Sequence, residues 1–223
     1  MKEIILDTET TGLNVRDGHR IVEIGCIELD NYVPTKNKFH CYLNPERRVS
    51  EQAFKVHGYS DAFLSNQKKF VDIADEFLNF IKDKKLVIHN AEFDLSHLNN
   101  ELSIIGKNKI NRSLIIDTLQ IAKEKFPGSQ ISLDALCKRY KIDNSRRKKH
   151  TAIIDCELLT KVYVNLIDQK EPSFNLQSFD NLEFNNGDSS SISYCKRVIE
   201  PSDEQIRLHK SYLKNSLRKN FFN

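Results

Sequence analysis

Five side chains between positions 7 and 155 are of types that handle metal ions and protons: Asp7, Glu9, Asp94, His150 and Asp155. Four carboxylates and one imidazole, with no cysteine among them, form a hard donor set that suits Mg²⁺ or Mn²⁺ better than zinc. Two such ions about 4 Å apart can activate a water, steady charge on phosphoryl oxygens and help an alkoxide depart, the needs of phosphodiester hydrolysis.

Asp7 and Glu9 close the apolar run Ile4-Ile5-Leu6-Asp7-Thr8-Glu9-Thr10-Thr11-Gly12, which reads as a buried strand ending in a turn. Residues two apart on a strand share a face, so both carboxylates can serve one ligand. Such a pair is costly to desolvate, and a divalent cation would relieve both the burial and the repulsion. A solvated edge strand explains the pair equally well when it is taken alone.

Asp94 follows a second short apolar strand in Leu86-Val87-Ile88-His89-Asn90-Ala91-Glu92-Phe93-Asp94, ahead of a helical pattern through Leu95, Leu98, Leu102 and Ile105. Asn90 is the expected N-cap, which places Asp94 in the first turn beside the carboxyl end of the strand, where open α/β sheets bind ligands. His150 and Asp155 open a third stretch, His150-Thr151-Ala152-Ile153-Ile154-Asp155-Cys156. Five residues turn a helix by about 140°, so the two cannot share a helical face and His150 belongs on the loop before it. Asp117, Asp134 and His89 are kept out of the site: the two acids fit helix starts, and the histidine is expected to point away from Asn90.

These stretches resemble the three exonuclease motifs of the DnaQ-like 3′-to-5′ exonucleases in their DEDDh branch. The match lies in Asp7-Thr8-Glu9-Thr10-Thr11-Gly12-Leu13, in His89-Asn90-Ala91-Glu92-Phe93-Asp94, and in His150 with Asp155 five residues on. Within the family the likeness is to the epsilon branch, the proofreading exonucleases of bacterial DNA polymerase III. It is carried by Val56-His57-Gly58-Tyr59-Ser60-Asp61-Ala62-Phe63-Leu64, Asp117-Thr118-Leu119, Phe126-Pro127-Gly128 and Ser132-Leu133-Asp134-Ala135-Leu136-Cys137. It runs from residue 1 to about 168 and returns weakly at Val198 to Leu213.

The resemblance implies Asp7, Glu9, Asp94 and Asp155 as ligands of two divalent cations, Mg²⁺ or Mn²⁺, and His150 as general base. It implies a grip on the terminal nucleotide by Thr10, Thr11, Leu13, Gln52, His57, Asn90 and Phe93, with Asp7, Glu9 and Asp155 also meeting substrate. Gln52 stands where close relatives usually carry Glu; a neutral amide can still hydrogen-bond a nucleotide. The implied substrate is a DNA 3′ end, released as 5′-mononucleotides. A stand-alone DEDDh exonuclease acting on RNA or repair intermediates is the alternative, and a non-catalytic binding module would have lost a carboxylate.

The positioning elements follow from periodicity. Strands are expected near 3–9, 20–30, 36–43, 86–89 and 113–117, and helices near 70–82, 91–106, 118–125, 131–139 and 151–168. That is an α/β, ribonuclease-H-like mixed five-stranded sheet flanked by helices, spanning residues 1–170. Residues 171–195 carry four acids and no Lys or Arg, and the segment 171–197 reads as a flexible linker rich in Ser and Asn. Residues 198–223 hold an amphipathic helix with Ile206, Leu213 and Leu217, and by resemblance bind the polymerase alpha subunit. Gln169-Lys170-Glu171-Pro172-Ser173-Phe174 is a candidate sliding-clamp peptide in which Pro172 replaces the aliphatic anchor.

The net charge of +3 is mild, but Arg146-Arg147-Lys148-Lys149 sits directly before the proposed base and either meets the phosphate backbone or is a solvated loop. No secretory signal and no long apolar run is present, so a cytoplasmic protein with no membrane span is expected. Five cysteines without a CxxC pair fit reduced thiols.

Overall fold

The computed structural model describes residues 2–147, 149–167 and 201–215. Five strands form one sheet: β1 (Lys2–Thr10), β2 (Ile21–Asp30), β3 (Val33–Tyr42), β4 (Lys85–Ile88) and β5 (Ile115–Asp117). Their order is β3-β2-β1-β4-β5. The first three are antiparallel neighbours, whereas β1 with β4 and β4 with β5 are parallel. The helices are α1 (Glu51–His57), α2 (Asp61–Leu64), α3 (Phe70–Ile81), α4 (Ala91–Ile104), α5 (Thr118–Lys125), α6 (Leu133–Tyr140), α7 (Ala152–Leu166) and α8 (Asp203–Asn215).

Strand alternation divides the core. Ile4, Leu6, Leu86 and Ile88 pack with Phe70, Ile73, Ala74, Phe77 and Ile81 of α3 and Leu95, Leu98 and Leu102 of α4. Ile5 and Val87 point the other way, into Leu133 and Leu136 of α6 and Cys156, Leu159, Val162 and Leu166 of α7. The two central strands are thus apolar on both faces, as strands covered on both sides must be. The α3 residues recur at helical spacing, and each buried Leu, Ile or Phe contributes roughly 1.5–3 kcal/mol.

The expected strands and the five expected helices are present with ends moved by at most three residues, and β5 is shorter than the run suggested. Helices α1 and α2 were not expected, because only His57 and Leu64 of them are buried and neither shows an apolar stripe. Their starts are nonetheless written locally: Ser50 and Ser60 accept from the backbone of Ala53 and Phe63, and Gly58 ends α1 in the left-handed region at φ 80°.

The chain divides into two compact units, Met1–Ser173 and Phe174–Asn223. In the second, α8 opens with a reciprocal cap, Gln205 N donating to Ser202 Oγ and Ser202 N to Gln205 Oε1. The linker, the clamp-like hexapeptide and Leu217 lie outside the described residues. No described helix is long and apolar enough to cross a membrane.

Candidate active site

The carboxyl ends of β1 and β4 and the amino ends of α4 and α7 meet at one edge of the sheet. Asp7 and Glu9 share a face of β1, Asp94 is the fourth residue of α4, and Asp155 is the fourth of α7. Thr8, between the β1 carboxylates, faces the opposite side and donates to Asp94 Oδ1 from its N–H (3.0 Å) and its hydroxyl (2.7 Å). One strand therefore presents two acids on one face and fixes a third from the other.

Two features of β2 seat α7 against β1. Gly25 leaves room for the helix end: a Cβ there would stand 2.6 Å from the Ala152 carbonyl carbon. Two residues earlier on the same strand face, fully buried Glu23 accepts from Ala152 N at 2.9 Å, from Tyr59 Oη at 2.7 Å, and pairs with His40 Nε2 at 2.7 Å. His150 precedes the N-cap Thr151, outside the helix as its spacing from Asp155 requires, and its N–H reaches Val56 O at 3.2 Å.

The acids repel one another in a buried setting. Burial, then the charges of Asp94, Glu9 and Asp155, hold the Asp7 carboxyl well above the usual range. Burial followed by Asp155 and Glu23 pushes Glu9 up to about 8. Burial pushes Asp94 up to about 7 despite the Thr8 hydrogen bonds, which pull it down. His150 is lowered, by burial first and the Arg147 guanidinium second, so the imidazole is neutral and able to accept a proton at neutral pH. One ligand atom each from Glu9, His150 and Asp155 lies within 4.8 Å of the others. Four convergent carboxylates with a single guanidinium, Arg147, paired to one of them fit a hard divalent cation.

Two cavities flank this cluster and share Thr8, Glu9 and Phe93. One, of about 590 Å³, is lined by Glu9, Thr10, Leu13, Gln52, His57 and Phe93 together with Asn14, Asp17 and His19. The other, of about 440 Å³, holds Asp7, Asn90, Asp94, Arg147, His150 and Asp155. The first cavity, with Phe93 in its lining and Glu9 as the cluster carboxylate that reaches it, is large enough for a small organic ligand.

The family described as Exonuclease matches residues 4–163. The DNA polymerase III subunit epsilon of Rickettsia felis is 46% identical over 225 residues, covering 98% of both chains. That of Escherichia coli (strain K12) is 39% identical, covering 95% of this chain and 92% of its own. The chain belongs to the DNA polymerase III epsilon family of exonucleases. Solved structures share the fold: the nuclease domain of 3′hExo, a DEDDh member bound to rAMP, has a TM-score of 0.66 at 16% identity over 76% of this chain and 92% of that one. Exonuclease X in complex with 5′ overhanging duplex DNA has a TM-score of 0.60 at 23% identity, over 75% and 92%.

Within this epsilon-family site several side chains stand elsewhere than the sequence suggested. Thr11 is fully buried and lines neither cavity; its hydroxyl meets His19 Nδ1 and Arg20 N, so it braces the turn. Asn90 occupies the N-cap position of α4 at φ 72° without a side-chain capping bond. Asp117 does that work, accepting from Asn90 N and Ala91 N as well as capping α5. Asp134 does not cap α6, a task that falls to Ser132; its carboxylate instead takes Arg147 Nη1 and Asn144 Nδ2. His89 borders the second cavity, its Nδ1 2.9 Å from Thr118 Oγ.

The basic run does not form one patch. Arg146 is exposed near Glu157, Arg147 turns inward, Lys149 lies over the Phe54 ring at 5.4 Å, and Lys148 is outside the described residues. His57 is buried, stacked on Tyr59, with Nδ1 accepting from Tyr59 N and Nε2 without a partner at the first cavity. Glu23 and the inward contacts of Tyr59 and Arg147 join segments distant in sequence and are not reached by a purely local reading. A signal for Glu23 exists, since a charge inside Ile21-Val22-Glu23-Ile24-Gly25-Cys26-Ile27 must be buried and therefore partnered.

Proposed function

We propose that the chain is the proofreading subunit of a bacterial DNA polymerase III, removing mispaired 3′-terminal nucleotides from DNA one at a time as 5′-mononucleotides. The observation that carries this reading is the convergence of Asp7, Glu9, Asp94 and Asp155 with His150 in one cavity, which shares Glu9 and Phe93 with a neighbouring cavity of about 590 Å³.

Asp7, Glu9, Asp94 and Asp155 are the residues that would hold two divalent cations, Mg²⁺ or Mn²⁺, Asp94 being oriented by the two Thr8 hydrogen bonds to its Oδ1. When bound, the ions supply Lewis-acid stabilisation of the phosphoryl oxygens and lower the pKa of the attacking water. Phe93 stacks on a base of any identity, which suits an enzyme that must accept every mismatch. Leu13, exposed on the loop after β1, and the His57 ring, which lines the same cavity, grip the same nucleotide. Gln52 takes a hydrogen bond at the rim, and Thr10, whose hydroxyl is tied to Gly12 O, shapes the wall. His150 accepts the water proton; the new P–O bond forms as the bond to the penultimate 3′-oxygen breaks, and that oxygen gains a proton from solvent.

Residues 198–223 would bind the polymerase alpha subunit and keep the exonuclease near the primer end. Gln169 to Phe174 would touch the sliding clamp, and the work would take place in the cytoplasm. The test is a 3′-labelled primer, paired or mismatched, incubated with Mg²⁺. Single 5′-mononucleotides are expected, lost with chelator or in His150→Ala. Endonucleolytic fragments, or faster hydrolysis of an RNA than of a DNA 3′ end, would contradict the reading. Unchanged clamp affinity after deletion of 169–174 would remove that contact.

A further inference from the structure

One buried cation has no part in that mechanism. The Arg147 side chain is only 8% exposed and every polar corner of it is engaged. Nε meets Asp155 Oδ1 at 2.6 Å, and Nη2 meets Asp155 Oδ2 at 2.7 Å. The same Nη2 lies 2.9 Å from His150 Nδ1, and Nη1 reaches Asp134 Oδ2 at 2.6 Å. The guanidinium thus grips the carboxylate and the imidazole assigned as ligand and base.

We propose that Arg147 is a positioning residue that stands in for the divalent ion in the metal-free enzyme, clasping Asp155 and His150 together and withdrawing onto Asp134 when the ion arrives. The inference rests on the reading of Asp155 as a ligand and His150 as the base. Three observations carry it. A bidentate guanidinium uses both oxygens of Asp155, so it competes directly with an ion for that carboxylate. The donor atoms of Glu9, His150 and Asp155 converge within 4.8 Å, and an ion among them would repel a guanidinium sharing the same acid. Asp134 is 55% exposed, lines the same cavity as the cluster and is also held by Asn144, so it remains a fixed partner for Arg147 once Asp155 is given up.

The clasp has a second effect. A guanidinium N–H can only donate, so Nδ1 of His150 must accept and is occupied as long as Arg147 stays. Withdrawal frees the ligand and a base nitrogen in one movement, so metal loading and proton transfer are switched on together.

Two substitutions should move metal affinity in opposite directions. In calorimetric Mn²⁺ titrations of the full chain at pH 7.5, Arg147→Gln should bind tighter than wild type by on the order of 10-fold, since the competing cation is gone. Asp134→Asn should bind several-fold more weakly, since Arg147 loses the partner to which it withdraws. A merely structural role would weaken both. Nitrogen chemical shifts of the His150 imidazole should show Nδ1 accepting a hydrogen bond in the metal-free wild type and released in Arg147→Gln. Should that variant not fold, Arg147→Lys keeps the charge without the two-oxygen grip and should bind Mn²⁺ a few-fold tighter than wild type. Equal or weaker binding in the folded Arg147 variant overturns the proposal. Asp155→Asn separates the two ideas: if it binds Mn²⁺ like wild type, the reading of Asp155 as a ligand falls and takes this proposal with it.

Discussion

Removing divalent ions should make the stability of this protein fall as pH rises across the range where most proteins are steady. Glu9 and Asp94 titrate near 8 and 7 in the folded chain against 4.5 and 3.8 as reference. The folded state therefore keeps protons that the unfolded chain has lost. Stability from these groups is full below about pH 4 and drains away as pH climbs through 7 to 8. Each pH unit of displacement is worth about 1.36 kcal/mol, which gives roughly 5 kcal/mol for Glu9 and roughly 4 for Asp94. The two carboxyls belong to one repelling cluster, so their effects overlap, and roughly 5 kcal/mol is the figure for the pair. The part lost between pH 5 and pH 8 is roughly 4 kcal/mol, so at about 2–4 °C per kcal/mol the metal-free Tm should drop by about 8–16 °C. Mg²⁺ binds the deprotonated ligands, so it should add little at pH 5 and recover much of the loss at pH 8. Calorimetric melts with EDTA and with millimolar Mg²⁺, at half-unit pH steps, measure both. A flat metal-free profile in wild type, or a Mg²⁺ effect as large at pH 5 as at pH 8, would refute the charge-cluster argument. Glu9→Gln should flatten the metal-free slope and lose the Mg²⁺ response.

Three further outcomes follow from the geometry. His150→Ala should lower kcat by about 10²- to 10⁴-fold while Mn²⁺ affinity stays within a few-fold of wild type, because the loss is of a proton acceptor. Phe93→Ala should raise KM for single-stranded DNA ends, with a loss of about 1–3 kcal/mol shared among all four bases and read by steady-state kinetics on homopolymers. Gly25→Ala should lower stability by about 1–3 kcal/mol through overpacking against the Ala152 backbone. It should also lower kcat by about 10²-fold by displacing the end of α7 that carries Asp155; a variant with normal kcat would show that α7 is seated by other contacts.

Legibility followed the range of the interactions involved. The strand and helix bearing each acid were readable because apolar alternation and helical spacing are local, and Asp7, Glu9, Asp94 and Asp155 each adjoin such a pattern. The helical angle alone placed His150 outside α7. What stayed hidden depends on contacts between distant segments. Ser50, Ser60 and Gly58 spell out α1 and α2, yet neither helix has an apolar stripe, so periodicity passes over them. Arg147 looked like one of four surface cations, and its direction is decided by Asp155 and Asp134, eight and thirteen residues away. Thr11 sits in a sequence that suggests nucleotide contact, but its hydroxyl is spent on His19 and Arg20 within the turn.

The placement of Glu23 links the two halves of the site. A fifth buried carboxylate beside the cluster adds to the repulsion, as its upward push on Glu9 and Asp7 shows, so its presence needs a compensating role. Its oxygens collect the N-terminal N–H of α7, the Tyr59 hydroxyl and His40. The first contact uses the positive end of the helix that carries Asp155. The second holds the ring on which His57 stacks, and His57 lines the first cavity. A single acid on β2 therefore links the ring on which His57 stacks to the amino end of the helix that bears Asp155. In a reaction where misplacement by about 1 Å costs about 100-fold, that rigid span is worth more than the repulsion it adds.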